Sequence, residues 1–506
     1  MRAAFVITVL AVTLAGCPGG DGKLGAPCAD HSACSSELQC FRDVCVDRCD
    51  RAPECGDGYR CDDSGICHAA TGQPGDACES EVDCGAGLAC QVEGTTVTAT
   101  GHLRASCVAE LSGRPAGAEC ERDDECRNGT CDLGHCIDLC RETIDCGAGT
   151  SCTEIPRVAA NGLRYEGCLQ THGSIAWSIP VGGTNELVQL PIPASARGVS
   201  VLFAVEDQNQ KVGATYLASP ENTTLLDASL SYYENPYVRH RPEYGQSVLA
   251  MPATPVADLQ SGVYNMRVRS LRRGLDNGLP AEVPGTAIPS MTAVVKLDAS
   301  AVLDLHFYFL DLTDHPCRPA FGGELDATIA QDAEFFQSQF VSPLRTLIAK
   351  GGVGLGSMTY TDLRDHPDLD GLDIANASSL FSLGSYSSGI NVFFVRTLSP
   401  VGLQAFGPNP GPAGLANTRQ SGIVVSIDTL CYRSWPQLAR TTARELARYM
   451  GLFANVEHDA LSDVLHRDLI PDTNSDPSNL MFNSELGGTE LTDGQRFVLT
   501  RSPALK

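Results

Sequence analysis

Basic residues are scarce in this chain. Its 506 residues include 36 Lys and Arg against 61 Asp and Glu, which gives a formal net charge of −25 at pH 7. Because nucleic-acid binding needs a basic face, this balance excludes nucleic acid as a partner. Aromatic residues make up only 6% of the chain, whereas the 43% of hydrophobic residues is ordinary for globular domains. A chain of this length is too long for one core and predicts several domains.

After the N-terminus, the sequence has no apolar run long enough to cross a membrane. Residues 3–15 are apolar, follow Arg2 and lead into Leu14-Ala15-Gly16-Cys17. This ending resembles a bacterial lipobox, where the leader is cut before the cysteine and the thiol is acylated. The alternatives are an ordinary signal peptide with an unrelated cysteine, or a short buried helix.

The lipobox resemblance implies a signal peptide at 1–16 and a linker at 17–27 that is lipidated on Cys17. The chain would then be a lipoprotein of the bacterial cell envelope, with the membrane as a partner through its acyl chains. Pro18 differs from the Asp that retains many lipoproteins at the inner membrane, so the outer membrane is the preferred location.

Cysteine is concentrated in the first third of the chain. Of the 23 cysteines, 20 lie between Cys28 and Cys168. They form groups of four in which the first gap is always five residues, and such a fixed spacing is typical of a repeat array. The groups are Cys28, Cys34, Cys40 and Cys45; Cys49, Cys55, Cys61 and Cys67; Cys78, Cys84, Cys90 and Cys107; Cys120, Cys126, Cys131 and Cys136; and Cys140, Cys146, Cys152 and Cys168.

Few large apolar residues lie between these cysteines, so covalent cross-links must substitute for a core over residues 28–170. Zinc binding would favour C-x2-C pairs, and the sequence of this region has none. Three disulfide connectivities stay open for each group, and first-to-third with second-to-fourth is preferred. The pattern resembles the small cysteine-rich modules of secreted proteins, such as the Dickkopf N-terminal type, which implies a stalk or binding module.

Short β-rich runs separated by Pro, Gly and Asn follow in residues 171–300, and they predict an all-β sandwich. The run at 261–268 resembles a strand of the jelly-roll domains found beside bacterial secreted proteases. A segment rich in Tyr and cationic residues is either a contact surface or an ordinary loop. The ordinary loop is the preferred interpretation. The main runs are Leu187–Leu190, Val199–Val205, Gly262–Arg269 and Met291–Leu297, and the segment holds Tyr232, Tyr233, Tyr237, Arg239, His240, Arg241 and Tyr244.

Residues 301–506 predict an α/β (α+β) domain. The predicted elements are an alternating, buried strand at Leu303–Leu312, a long helix within 323–350, and apolar strands at Asn391–Val395 and Ile423–Ile427. A later helix begins at Ser434 as N-cap, has Pro436 in its first turn and ends at Gly451. The chain is therefore predicted to be multidomain, with disulfide-rich repeats, a β-sandwich and this third domain in order.

On that helix, residues 444–454 read Arg-Glu-Leu-Ala-Arg-Tyr-Met-Gly-Leu-Phe-Ala. The spacing resembles the H-E-x-x-H-x-x-G-x-x-H motif of metzincin zinc proteases, in particular the pappalysin-like branch, with Glu445 and Gly451 in place. Residues 472–482 resemble that branch's Met-turn, with Met481 at its key position, and a closing helix is predicted at Leu491–Thr500. The resemblance implies a metzincin-like fold over 301–506.

The three histidine ligands of that family map onto Arg444, Arg448 and Ala454. A guanidinium has no acceptor atom and stays protonated, and a methyl group binds no metal. We therefore expect no zinc and no other cofactor, and Glu445 becomes a vestigial general base.

Two groups of residues in this region each allow two interpretations. His458, Asp459, Asp463 and His466 form either a rebuilt metal site or, preferably, a polar loop. Arg440, Arg444 and Arg448 lie four residues apart, opposite the apolar face of the helix. They are either the solvated side of the helix, with Glu445 paired to Arg448, or the wall of a cationic cleft that suits a carboxylate or an acidic peptide.

The sequence thus favours a surface-anchored lipoprotein whose pseudo-metzincin domain binds a protein or peptide without cleaving it. The alternatives are an active secreted metallopeptidase with a rebuilt metal site, and a structural or adhesive envelope lipoprotein. Cys317 and Cys431 are the last two cysteines, and we expect them to pair with each other.

Overall fold

The computed structural model describes most of the chain after residue 66. The described residues are 67–227, 232–276, 279–310, 325–459, 464–482 and 487–506, with shorter pieces at 35, 38–41, 44–47, 59–61, 312, 315 and 317–318. The leader and Cys17 lie outside them. In these parts of the chain, no helix has both the length and the apolar character needed to cross a membrane.

The N-terminal region consists of short hairpins and turns that are cross-linked by disulfides. The described pairs are Cys78–Cys90, Cys84–Cys107, Cys120–Cys131, Cys126–Cys136, Cys140–Cys152 and Cys146–Cys168. Each pair joins the first cysteine of its group to the third, or the second to the fourth, so the preferred connectivity is confirmed for these three groups. In the two groups before residue 68, the pairings lie outside the described contacts.

The strands of this region are short because covalent links, rather than long ladders, hold it together. They are β1 (Leu38–Phe41), β2 (Val44–Asp47), β3 (Tyr59–Cys61), β4 (Cys67–Ala69), β5 (Ala77–Cys78), β6 (Leu88–Val97), β7 (Leu103–Ala109), β8 (Cys131–Asp132), β9 (His135–Cys136), β10 (Thr150–Pro156) and β11 (Arg164–Gln170).

The middle of the chain is β-rich, as predicted, and its strands are antiparallel. They are β12 (Ser174–Ile179), β13 (Asn185–Ile192), β14 (Gly198–Ala204), β15 (Lys211–Ala218), β16 (Thr224–Leu226), β17 (Arg239–His240), β18 (Glu243–Tyr244), β19 (Gln246–Met251), β20 (Gly262–Asp276), β21 (Leu279–Pro284) and β22 (Ser290–Lys296). One sheet has the order β12-β22-β14-β19-β17 and the other β13-β20-β15-β16, with β18 beside β15 and β21 beside β20.

The two sheets share one hydrophobic core. Val201 and Phe203 of β14 and Met266 and Val268 of β20 are all fully buried in the same cluster. Alternate residues of β20 are buried from Gly262 to Ser270, which is the period of a strand with one face on a core. The four predicted runs correspond to β13, β14, β20 and β22, and the jelly-roll assignment stays a prediction.

The C-terminal part combines a five-stranded sheet with helices. The strands of this part are β23 (Val302–Leu310), β24 (Gly354–Leu363), β25 (Gly371–Asp373), β26 (Ile390–Val395), β27 (Thr397–Ser399), β28 (Ala405–Phe406), β29 (Ile423–Ser426), β30 (Val456–Asp459) and β31 (Val464–Arg467). Four of these strands form two separate pairs, β25 with β27 and β30 with β31. The helices are α1 (Ala327–Asp332), α2 (Glu334–Phe336), α3 (Ser342–Lys350), α4 (Ala377–Phe381), α5 (Trp435–Tyr449) and α6 (Asp493–Leu499).

This sheet has the order β24-β23-β26-β29-β28, in which only β28 runs antiparallel to its neighbour. Parallel neighbours need crossover connections, which here place α3 and α5 on one face and α4 on the other. β23 is buried at every position from Leu303 to Leu310, so the predicted buried strand is confirmed, although none of its alternate positions is exposed. The strand lies between helical layers and has no solvated face.

The long helix predicted within 323–350 is interrupted. Ala333 has an extended backbone and separates α1 from α2, and a π-helical turn at Gln337–Val341 connects α2 to α3. Phe336 and Phe340 on this stretch are fully buried against the sheet. The two rings pack close to the break at Ala333, and the helical spacing of apolar residues in the sequence did not predict that break.

A disulfide joins Cys317 to Cys431, as predicted. The two residues are 114 positions apart, and closing a loop of that length contributes roughly 5 kcal/mol in the chain-entropy description. Cys431 ends the short 3-10 turn that precedes α5. The link therefore restrains the chain immediately before the helix with the candidate site.

Candidate functional site

Helix α5 carries the residues that the metzincin resemblance singles out. The backbone N–H of Ser434 donates to the Gln437 side chain at 2.9 Å, and Pro436 lies in the first turn. After the helix, Gly451 has a φ of +108°, which favours glycine and stops the helix. The predicted bounds of this helix are thus confirmed, and its buried face packs on the sheet.

Glu445 is buried between two arginines of the same helix. Its side chain is 6% exposed, and Arg444 Nη1 donates to its Oε1 at 2.9 Å. Arg448 Nε lies 3.9 Å from Oε2, so this second pair is longer. Two of the three predicted zinc-ligand positions therefore hold cations that face the carboxylate of the predicted general base.

Burial and charge act against each other in this cluster. Burial lowers the pKa of the Arg444 guanidinium, and the charge of Glu445 opposes that shift. Burial acts in the same direction on Arg448, but Glu445, Glu457 and Tyr232 together raise the pKa of Arg448 above its ordinary value. Both groups are cationic near neutral pH, because the ordinary pKa of an arginine lies far above neutral.

The third predicted ligand position, Ala454, also lacks a side-chain atom that could bind a metal. Ala454 is 3% exposed, and its backbone N–H donates to Glu457 Oε1 at 3.1 Å. Nearby, Met481 is fully buried, and its N–H donates to Asn479 Oδ1 at 2.8 Å. The carbonyl of Met481 accepts from Asn455 N at 2.8 Å, so the turn at Met481 directly supports the segment that follows α5.

Arg440 lies apart from this cluster. It is 8% exposed, and its Nε donates to the carbonyl oxygen of Gly488 at 2.9 Å. Arg444 and Arg448 are also largely covered, with side chains 18% and 26% exposed. The three arginines are therefore largely covered and not solvated, whereas the pairing of Glu445 with Arg448 that this interpretation included is present. Arg440 thus holds the chain at Gly488, and a cationic cleft formed by the three arginines stays a prediction.

The tyrosine-rich segment of the β-rich body packs against this end of α5. The Tyr232 ring lies 4.7 Å from the Phe453 ring, and its hydroxyl donates to the Asn409 carbonyl oxygen at 3.2 Å. Tyr233 stacks on His466 with ring centroids 4.5 Å apart. The segment thus packs within the chain against the C-terminal part, and a contact surface for another molecule stays a prediction.

Arg239 and Asp468 form the most deeply buried ion pair at this junction. Their side chains are 1% and 0% exposed, and Arg239 Nη2 lies 3.2 Å from Asp468 Oδ1. The guanidinium also lies over the Phe453 ring, 3.9 Å from its centroid. Burial raises the pKa of Asp468 to about 6, and the charge of Arg239 limits that rise. This pair ties β17 to the segment after β31.

A cavity of about 600 Å³ opens between the β-rich body and the C-terminal part. We call it the junction cavity. Arg448 and Glu457 reach it from the α5 side, whereas Arg440 and Arg444 do not line it. Its remaining walls are Gln208, Tyr232, Arg241, Glu243, Tyr244, Gln246, Ser247, Val248, Ile374, Ala375, Ala377, Ser378, Phe381, Phe406, Gly407, Pro408, Asn409, Pro410, Arg419 and Gln420.

The residues at the predicted ligand positions do not fit a zinc ion. Two guanidinium groups would repel the dication, and neither they nor the Ala454 methyl offer a lone pair. Among the described residues, the converging groups of three or more ligand-type atoms from Cys, His, Asp or Glu all consist of disulfide cysteines.

For the rebuilt metal site, the structure places three of the four residues, His458, Asp459 and His466, on strands. β30 contains His458 and β31 contains His466, and these strands pair as a hairpin. The His466 ring stacks on Tyr233. Asp463 and the side chains of His458 and Asp459 lie outside the described residues. The predicted polar loop is thus at least partly a hairpin.

Sequence patterns did not single out Glu457, Arg419 or the junction cavity. Glu457 follows Ala454 by three residues, a spacing that has no meaning until the chain turns back toward α5. Arg419 reaches the cavity from the segment before β29, and its Nη2 donates to Ser378 Oγ at 2.9 Å. Neither residue belongs to a motif, so only the fold brings them together.

No protein-family model matches this chain, and no curated protein matches it either. The resemblance to metzincins therefore rests on the positions of residues 444–454 and 472–482.

Proposed function

We propose that this protein is a surface-anchored lipoprotein whose C-terminal part is a degenerate metzincin-like scaffold that binds a peptide or protein without cleaving it. The observation that carries the proposal is the engagement of Glu445 by Arg444 at 2.9 Å, with Arg448 on the other carboxylate oxygen. In a working site of that family, the same glutamate would have to accept a proton from a metal-bound water. Here its carboxylate faces two permanent cations.

The order of elements in the C-terminal part supports the metzincin-like assignment. A strand, a helical stretch, helix α5, the turn at Met481 and a closing helix follow one another in the order that the resemblance implies. The contacts from Met481 to Asn455 and from Ser434 to Gln437 hold the two ends of this segment. A scaffold kept in this order, with its ligand positions replaced, is suited to binding.

The junction cavity supports binding as the retained activity. Its volume of about 600 Å³ lies within the range of small-ligand sites, and its walls combine apolar and charged side chains. The cavity lies beside Arg448 and Glu457, next to the replaced ligand positions. At the N-terminus of the chain, the proposed lipid anchor on Cys17 would hold the protein at the cell envelope, and the outer membrane is the preferred location.

Metal analysis of the purified full-length protein tests this proposal. We expect no stoichiometric zinc and no cleavage of casein by the wild-type protein. The matched control is Arg444→His/Arg448→His/Ala454→His, which restores three imidazoles at the motif spacing and should gain zinc binding. Stoichiometric zinc in the wild type, or casein cleavage that Glu445→Gln abolishes, would establish an active metallopeptidase and refute the proposal.

A further inference from the structure

Strands β20 and β21 extend beyond the body of their sheet as a two-stranded ribbon, residues 271–276 and 279–284. The ladder between β20 and β13 ends at Arg269, and the ladder between β20 and β15 ends at Leu271. The ladder between β20 and β21 starts at Leu271 and runs to Asp276. With a rise of about 3.4 Å per residue, the far end of the ribbon lies roughly 17 Å beyond the sheet.

Two leucines at the far end of the ribbon are exposed to solvent. Leu275 is 68% exposed and Leu279 is 70% exposed. In the register, Leu275 is opposite Pro280, and Leu279 is opposite Asp276. Because neighbouring cross-strand pairs direct their side chains to opposite faces, the two leucines lie on opposite faces of the ribbon. A flat protein surface would cover only one of them, whereas a fluid apolar medium covers both at once.

Directly behind these leucines, the ribbon carries two exposed arginines, Arg272 and Arg273. Arg273 Nε donates to the Tyr244 hydroxyl at 2.9 Å, and Arg272 Nε donates to the Pro284 carbonyl oxygen at 3.3 Å. Both partners are uncharged, so neither guanidinium is neutralised by the group that it contacts. As consecutive residues of a strand, the two arginines also lie on opposite faces.

The carboxylates of the ribbon leave an excess of positive charge. Glu282 is opposite Arg273 in the register but is ion-paired with Lys211, and Asp276 is exposed at the far end. Arg269 at the base of the ribbon adds a further cation, whose partner is a neutral amide oxygen. This local excess contrasts with the net charge of −25 for the whole chain. It suits an anionic surface.

We propose that the ribbon is a membrane contact. Leu275 and Leu279 enter the boundary between the headgroups and the acyl chains of an anionic bilayer, and arginine side chains two or three residues behind Leu275 bind its phosphate groups. Apolar and cationic residues follow one another here in the order in which a bilayer presents acyl chains and phosphates. Asp276 limits the contact to this shallow depth, because a carboxylate is costly in the hydrocarbon interior.

The choice of a membrane among anionic surfaces rests on the proposed function, which places the chain at a cell envelope. The contact itself does not require the acyl chains on Cys17. It would orient the β-rich body toward the bilayer, which a flexible lipidated linker alone does not do.

Vesicle sedimentation tests the contact on the chain from residue 17 onward with Cys17→Ala, which lacks both the apolar leader and the acylated thiol. The vesicles are phosphatidylcholine alone, or phosphatidylcholine with about a third of phosphatidylglycerol, at low salt and at about 0.15 M salt. We expect partition onto the anionic vesicles to be about tenfold stronger than onto the neutral ones, and to weaken as the salt concentration rises.

Two double variants separate the apolar contribution from the charged one. Leu275→Ser/Leu279→Ser should weaken partition about tenfold at both salt concentrations, because it removes the inserted apolar surface. Arg272→Gln/Arg273→Gln should weaken partition onto anionic vesicles about tenfold to thirtyfold at low salt, and much less at the higher salt concentration.

Matched controls replace the same kinds of residue elsewhere on the surface. Val401→Ser removes an apolar side chain that is 98% exposed, and Arg364→Gln removes a guanidinium whose side chain is 75% exposed. Both should bind vesicles like the parent chain. Circular dichroism of each variant verifies that it is folded.

An added tryptophan measures the depth of insertion. The native Trp177 and Trp435 are 7% and 5% exposed, so brominated lipids should quench only the fluorescence of a tryptophan introduced by Leu279→Trp. We expect stronger quenching by bromine near the headgroup end of the acyl chain than by bromine near its methyl end.

The outcomes distinguish this inference from the proposed function. Absence of binding to anionic vesicles, or equal binding by the parent chain and both folded ribbon variants, overturns the inference and leaves the ribbon to a protein partner. An added tryptophan at residue 279 that bound vesicles do not quench also overturns it. Palmitate labelling of Cys17 tests the proposed lipid anchor separately, and its failure would leave the vesicle result unchanged.

Discussion

The Arg444–Glu445–Arg448 cluster makes a quantitative prediction about stability. Glu445→Gln keeps the shape of the side chain and removes its charge. Arg444 and Arg448 would then remain as neighbouring cations, with side chains only 18% and 26% exposed. We expect the variant to be destabilised because two partly desolvated guanidinium groups would lose their shared counter-charge.

The magnitude follows from the two distances. With an effective dielectric constant of about 20, unit charges at 2.9 Å and 3.9 Å attract by roughly 6 and 4 kcal/mol before the cost of desolvation is subtracted. Removing one partner from a buried ion pair typically costs 3–5 kcal/mol. Because both arginines retain some contact with solvent, we expect a loss of about 3 kcal/mol in the free energy of unfolding.

Urea denaturation under non-reducing conditions measures this loss. Trp435 is the first residue of α5 and is 5% exposed, so its fluorescence reports unfolding of the helix. The only other tryptophan is Trp177, on β12. A Trp177→Phe background therefore isolates the signal from α5, and each variant is compared within that background.

A double-mutant cycle with Arg444→Met separates the interaction from the individual substitutions. We expect the double variant to lose about 1–2 kcal/mol less than the sum of the single losses. Asp493→Asn is the matched control, because its partner Arg496 lies at 2.7 Å in an exposed pair that should contribute less than about 1 kcal/mol. Additive losses in the cycle, or a Glu445→Gln effect as small as that of the control, would refute the reasoning.

Two further predictions concern the β-rich body and the N-terminus. His240 is buried, with Nδ1 donating to the Val248 carbonyl and Nε2 accepting from Ala214 N, and burial lowers its pKa from 6.5 to about 4. A neutral His240 thus stabilises the fold fully above pH 6.5, and this contribution disappears as the pH falls toward 4. Between pH 7 and 4 the wild type should lose about 3 kcal/mol more than His240→Gln, measured by urea denaturation with Trp177 fluorescence, and equal losses would contradict this. Separately, radiolabelled palmitate should label the protein in a bacterial host and Cys17→Ala should abolish the label, whereas a labelled variant would place the acyl chain elsewhere.

The features that could be predicted from the sequence are those that depend on residues close together along the chain. Cysteines five residues apart can pair in few ways, and the described pairs Cys78–Cys90 and Cys84–Cys107 follow the predicted order. The bounds of α5 were predictable because Ser434 and Gly451 act through their own backbone neighbours. The β-rich runs were recognisable for the same reason, since the period of a strand is local.

Predictions failed where contacts between distant residues outweigh local pattern. The stretch 323–350 has a helical period, yet it breaks at Ala333, next to rings that pack on the sheet. The face of Arg444 and Arg448 reads as solvated on an isolated helix. In the protein both side chains are largely covered, and the Tyr232 segment, more than 200 residues earlier, packs against Phe453 just after the helix.

The sequence by itself determined which side chains occupy the predicted ligand positions, and with them the chemistry that those positions can perform. Arginine and alanine bind no zinc in any fold, because they offer the metal no lone pair. The tertiary structure alone decided that Glu445 and its two neighbouring arginines are largely buried, and that Arg241 and Arg448 line one cavity. These arrangements depend on two distant parts of the chain packing together, and no local spacing encodes that contact.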